Sequence, residues 1–210
     1  RSGDVVISSG QSLANTTFEF KNSDQSKQEI ESLLQRANLY SFLRIKPGEQ
    51  PNKRILLVRK DHIERLESII NQGGTWVVNI RSAGNILKGE NYVYAFPEVI
   101  QNKNIVMKND IISSIEFNEG QLTRALISRK IKILLSSTLA EVKRRGSLIS
   151  ELQINANDIN TLAEKLEKRN DYMFALESIS NGDSYTADKV SVKLKIKEYP
   201  FIDSYQDDYE

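Results

Sequence analysis

The chain has 210 residues, 39% of them hydrophobic, with a net charge of +1 and no cysteine. That length holds one large domain or two small ones. The near-neutral charge makes no demand for nucleic acid or an anionic membrane, and the lack of cysteine excludes disulfides, thiolate metal sites and cysteine nucleophiles. No run approaches the ~18 apolar residues of a spanning helix, and no signal-peptide pattern opens the chain. Its start at Arg1-Ser2-Gly3-Asp4, directly before a strand-like run, reads as a soluble piece cut from a longer protein.

Val5-Val6-Ile7 reads as a short strand turned by Ser8-Ser9-Gly10, and Thr16 to Phe20 alternates with Phe18 and Phe20 on one face. From Ser26 to about Leu43, Ile30, Leu33, Leu34 and Ala37 recur at helical spacing and form one apolar stripe. Pro47-Gly48 closes that helix, and Arg54 to Val58 is a third strand. A short helix follows, with Asp61 as the expected N-cap and Glu64 as its capping-box partner. Its stripe is Ile63, Leu66 and Ile70, and Gly73-Gly74 ends it. Thr75 to Glu90 then opens a hairpin: an apolar run, a polar turn at Ser82-Ala83-Gly84-Asn85, and an alternating return from Tyr92 that finishes at Phe96-Pro97.

The same order begins again at Asn104. Ile105-Val106-Met107 and Ser114 to Phe117 are strands, and a long helix runs from about Gln121 to Arg145. Leu122, Ala125, Ile131, Leu134, Leu135, Leu139 and Val142 form its apolar side, and Gly146 stops it. A strand at Leu152 to Ile154, a helix from Asp158 to about Lys168, and a hairpin (Tyr172 to Ile179, Val190 to Ile196) complete this half. A shift of 96 residues lays Ile55–Asn85 on Glu151–Asn181 without a gap. Trp76 then meets Tyr172, Val78 meets Phe174 and Ile80 meets Leu176, a matching apolar register that points to an internal repeat. The reading is an α+β fold of two ββαβαββ units, residues 1–103 and 104–202, intertwined or in tandem, with internal pseudo-twofold symmetry. Residues 203–210 form an acidic tail, expected to fray.

No catalytic constellation stands out. His62, the single histidine, lies in a first helical turn, where an exposed side chain is normal, and no metal or triad set can be assembled around it. Gly73-Gly74 follows a helix and precedes a strand, the wrong order for a phosphate cradle, and no metal-protease, serine-hydrolase or calcium-loop pattern occurs. No metal and no cofactor is expected. Arg129, Lys130, Lys143, Arg144 and Arg145 on the long helix make the best case for nucleic acid. No aromatic residue stands among them to stack on bases, and a solvated face plus dipole complementarity accounts for them. Polar groups converge at the hairpin turns: Asn79, Arg81, Ser82 and Asn85 in the first half, and Glu177, Ser178 and Asn181 in the second. In the 96-residue register Arg81 falls on Glu177 with opposite charge, which suggests a pair or a shared polar pocket. The plainer account is that both turns supply the left-handed backbone a loop needs.

Three stretches resemble a known family: Gly3-Asp4-Val5-Val6-Ile7; Ile80-Arg81-Ser82-Ala83-Gly84-Asn85 with Gly89-Glu90 beyond; and Lys143-Arg144-Arg145-Gly146. They are similar to the C-terminal domain of a cyanobacterial membrane-anchored coiled-coil family catalogued as domain of unknown function 3084. The resemblance implies a membrane anchor and a coiled coil upstream, hence a homo-oligomer, expected to be a dimer. It carries over no catalytic residue. The expected function is a non-enzymatic recognition or assembly domain binding a protein partner or small ligand. A nucleic-acid module using the helix at 121–145 is the alternative, and a carboxylate-based hydrolase or transferase comes third.

Overall fold

The period-two runs become strands and the helically spaced stripes become helices, giving an α+β fold. The computed structural model describes residues 3–118, 122–170 and 173–199. The expected helix start at Gln121, the strand start at Tyr172 and the acidic tail at 203–210 lie outside them. The chain divides into two units, Arg1–Lys103 and Asn104–Glu210.

In unit 1, β1 (Val5–Ile7) and β2 (Ser12–Glu19) lead into α1 (Ser23–Ile45). Asn22 caps α1 by accepting from Gln25 N at 2.8 Å, so the helix starts three residues before Ser26. β3 (Leu56–Val58), α2 (Lys60–Ile70), β4 (Thr75–Ser82), β5 (Ile86–Leu87) and β6 (Val93–Gln101) follow. Asp61 is not the N-cap: α2 begins at Lys60 behind Arg59, and the Asp61 carboxylate is taken by the Arg59 guanidinium at 2.9 and 3.0 Å. That pairing holds the Asp61 carboxyl below the usual range.

The main sheet of unit 1 has strand order β2-β4-β6-β3, with only β3 parallel to its neighbour. β6 does not stop at Pro97, which pairs with Ile80 of β4. Proline is tolerated there because β3 pairs only with Val93–Ala95, so the side of β6 on which Pro97 lacks an N–H is already an open edge. Phe18, Ile30, Leu33, Phe42, Leu66 and Ile80 form the core beneath α1 and α2.

Unit 2 comprises β7 (Asn104–Val106), β8 (Ile111–Phe117), α3 (Arg124–Arg144), α4 (Ala156–Glu167), β9 (Phe174–Ser180), β10 (Ser184–Tyr185) and β11 (Val192–Glu198). Its antiparallel sheet has order β11-β9-β8. The expected strand at Leu152–Ile154 is only a single parallel bridge, Gln153 to Ser191. α3 starts behind Thr123, whose hydroxyl accepts from Leu126 N, and α4 behind Asn155 rather than at Asp158. Phe117 and Phe174 stack at 4.7 Å between sheet and helices. Each buried ring contributes roughly 1.5–3 kcal/mol through its area, and the stacking adds about 1 kcal/mol.

Candidate functional site

The turn after β4 is built by two loops that interlock. Gly10 N donates to Ser82 O at 2.8 Å and Ser82 N to Gln11 O at 2.9 Å. Ser9 N donates to Asn85 Oδ1 at 2.8 Å, and Ser82 Oγ closes the turn on Gly84 O at 2.7 Å. Gly10 sits at φ +77°, the left-handed region that its place in the loop requires. Arg81 donates from Nη1 to Gly10 O at 2.8 Å and from Nε to Glu98 Oε1 at 3.1 Å, while Asn79 Oδ1 accepts from Ser12 Oγ at 2.6 Å. Asn79, Arg81, Ser82 and Asn85 are thus brought together, and each has at least one side-chain polar atom bonded within the fold; Ser82 is fully buried. The left-handed backbone expected at Gly84-Asn85 and Asn181-Gly182 is not found: none of the four lies at positive φ, and the left-handed residues are Gly10 and Asn109 in the opposing loops.

The same bonds recur in unit 2 on different residues. Asn109 N donates to Ser180 O and Ser180 N to Asp110 O, both at 2.9 Å. Lys108 N donates to Asp183 Oδ1 at 2.8 Å and Ser180 Oγ to Gly182 O at 2.6 Å. Asn109 stands where Gly10 does, at φ +71°. Ser82 therefore corresponds to Ser180, an offset of 98 rather than 96. The physical cause is chain length: residues 71–74 join α2 to β4, whereas residues 168–173 join α4 to β9. Two extra residues move every later position by one strand period. Arg81 consequently matches Ile179, and Glu177 matches Asn79, so the expected Arg81–Glu177 equivalence is wrong.

Glu177 stands in register between Ser114 and Lys195. Ser178 is fully buried; its Oγ accepts from Thr138 Oγ1 at 2.7 Å and from Ser113 N at 3.1 Å. Asn181 Nδ2 donates to Ser191 Oγ at 2.9 Å.

Lys130, Arg144 and Arg145 of α3 are likewise tied into the unit. Arg144 grips Glu141 through two bonds of 2.8 Å, and Arg145 reaches the same carboxylate at 2.9 Å. These two guanidinium groups hold the Glu141 carboxyl at about 2. Lys130 donates to Glu116 O at 2.6 Å and lies 4.8 Å over the Phe117 ring. Arg129 and Lys143 are both exposed on the helix. Among the described residues no three His, Asp or Glu side chains converge as a metal would require.

What the sequence did not announce is a groove in each unit between the second helix and an open strand edge, in unit 1 the part of β6 beyond its pairing with β3. In unit 1 a cavity of about 260 Å³ opens between α2 and β6, lined by His62, Leu66, Ile69, Phe96, Pro97 and Val99. In unit 2 a cavity of about 250 Å³ lies between α4 and β11, lined by Ile154, Ile159, Leu162, Val192 and Leu194, with Asp158 and Lys193 at its rim. The signal was present in the β11 sequence VKLKIKE, whose apolar residues face the helix side and whose lysines face away.

No family model matches the chain, and no solved structure matches it. An uncharacterized protein of Nostoc sp., alr4393, is 26% identical over 196 residues, covering 92% of this chain and 39% of that protein. The chain thus spans well under half the length of this cyanobacterial relative. No helix among the described residues is long and apolar enough to cross a membrane.

Proposed function

We propose that the chain is a non-enzymatic recognition domain that binds a protein partner in its helix–strand grooves. The observation that carries this reading is the recurrence of an apolar groove against an open strand edge in both units, α2–β6 and α4–β11. Such grooves take side chains of a partner while the neighbouring strand supplies main-chain bonds. The polar turn residues do not compete with this reading, because their hydrogen bonds serve the turns themselves.

In this proposal the domain is displayed at the end of a membrane-anchored coiled coil that brings two copies together. The 39% share of the Nostoc relative leaves ample length for such a stalk and anchor. A nucleic-acid role for α3 is less well supported, since Arg144, Arg145 and Lys130 are held by partners inside the unit.

The test is selection of peptides from a random display library on the purified chain. Selected peptides are expected to lose binding on Ile69→Asp or Leu162→Asp, with helix content unchanged by circular dichroism. Binders indifferent to both substitutions would overturn the reading. So would nucleic-acid binding that falls steeply with salt and collapses on Arg144→Ala with Arg145→Ala.

A further inference from the structure

The two grooves differ in one respect that decides what each can hold. Along β11, Val192 N donates to Gln153 O and Gln153 N to Val190 O, so even-numbered residues turn their amides away from β9. Beyond that bridge, among the described residues, β11 pairs only with β9. Leu194 and Ile196 therefore present N–H and C=O groups outward along an open edge beside the α4 groove.

In unit 1 the corresponding edge is β6, where Val93 N donates to Ile55 O and odd-numbered residues face outward. Pro97 pairs with Ile80 as Leu194 pairs with Ser178, so it occupies the place of Leu194 and has no N–H to offer. An incoming strand would lose its central donor there. Unit 1 is blocked and unit 2 is open.

An added strand points alternate side chains to opposite faces. On the helix side of β11 these would meet Ile154, Ile159, Leu162 and Leu194. On the other side they would meet Lys193, Lys195 and Lys197, all exposed; among the described residues Glu177 is the one acid paired directly with them, and Glu116 lies one strand further along the row of Lys197. A row of lysines on an edge strand repels basic strands and disfavours neutral ones, which would desolvate the ammonium groups without pairing them, and so guards against indiscriminate pairing. It also leaves a charge pattern that an acidic strand completes.

We propose that unit 2 recognises an extended peptide of alternating acidic and apolar residues, added as a strand to the β11 edge. The proposal rests on the reading of the grooves as protein-binding sites and names the class of partner for one of them.

The experiment uses the whole chain and fluorescent peptides the length of β11, followed by anisotropy at low salt. The probes are alternating Glu/Val, alternating Ser/Val, alternating Lys/Val, and the Glu/Val peptide N-methylated on one or the other set of alternate amides. The Glu/Val peptide is expected to bind about tenfold tighter than Ser/Val, the sum of three exposed charge pairs. The Lys/Val peptide should not bind, and Lys193→Glu with Lys197→Glu should invert the preference. One N-methylated set should weaken binding about tenfold or more while the other has little effect, because only one set faces β11. Amide exchange at Leu194 and Ile196 should slow about tenfold at saturating peptide.

If peptides bind and slow exchange along the groove but both methylated sets behave alike, or charge alternation is immaterial, strand addition is overturned while the groove reading stands. If none of the peptides binds and library-selected binders also ignore the groove, the groove reading itself falls.

Discussion

Asn38 on α1 offers the sharpest test of how unit 1 is held together. Its Oδ1 accepts from Ile55 N at 2.8 Å and Leu56 N at 3.0 Å, and its Nδ2 donates to Lys53 O at 3.2 Å. Ile55 and Leu56 are 3% and 2% exposed, so these amides have little access to water. Asn38→Ala strands two buried donors at about 1–3 kcal/mol each, and a loss of roughly 3 kcal/mol is expected. With a urea slope of about 1–2 kcal/mol/M for a unit of this size, the midpoint should fall by about 2 M. The assay is favourable because Trp76 is the only tryptophan and lies in β4, so its fluorescence reports unit 1 alone. Asn38→Asp keeps an acceptor for both amides and gives up only the Nδ2 bond, so it should lose about 1 kcal/mol. If alanine costs less than about 0.5 kcal/mol, water has replaced the side chain and the clamp is not what orders β3. If aspartate is no better than alanine, the two amide bonds are not the source of the stability.

The remaining predictions concern single contacts, three in unit 2 and one in unit 1. The Glu141 carboxyl is held at about 2, below its ordinary 4.5, so its stabilisation is complete above about 4.5 and disappears as pH falls toward 2. Denaturation midpoints of the native chain and Glu141→Gln should therefore differ at neutral pH and converge across that window. Thr138→Val removes the buried 2.7 Å bond to Ser178 and should cost about 1–2 kcal/mol by calorimetry. Ser41→Ala, which loses only a bond to Ala37 O in its own helix, should cost less than about 1 kcal/mol. At φ +71°, Asn109→Gly should be tolerated to within a few tenths of a kcal/mol, whereas Asn109→Val should cost about 1–2 kcal/mol in thermal unfolding.

The parts of the fold that were legible are those where one residue type has one physical use. The stripe Ile30, Leu33, Ala37 is buried as its spacing required, and so is Ile131, Leu134, Val142. Ile127 and Thr138 were missed in the second stripe; Thr138 is a polar residue made compatible with burial only by its bonds to Leu134 O and Ser178 Oγ. The register of the second hairpin was misread for a related reason. Identity between Ser82 and Ser178 is accidental, whereas the correspondence that matters is chemical: Ser82-Ala83-Gly84-Asn85 against Ser180-Asn181-Gly182-Asp183. In both, the serine hydroxyl bonds the glycine carbonyl and the final side-chain oxygen takes a loop amide. A search by hydrogen-bonding role would have found the offset of 98 where a search by residue name found 96.

The corrected register also changes where function is to be sought. Under the 96-residue offset, opposite charges at Arg81 and Glu177 drew attention to the turns. Under the 98-residue offset, the informative contrast is Pro97 against Leu194, which bears on the strand edges instead. Neither residue is unusual in sequence, and proline near the end of an alternating run is ordinarily read as a stop. Its meaning depends on β3 ending at Val58, so that the missing amide falls on an edge rather than inside the sheet. Pro97 on β6 and Leu194 on β11, each paired to its neighbouring antiparallel strand, thus carry opposite instructions, one refusing a further strand and one admitting it. Selectivity for a partner strand follows from that difference together with the three lysines, because backbone bonding alone would accept any extended chain.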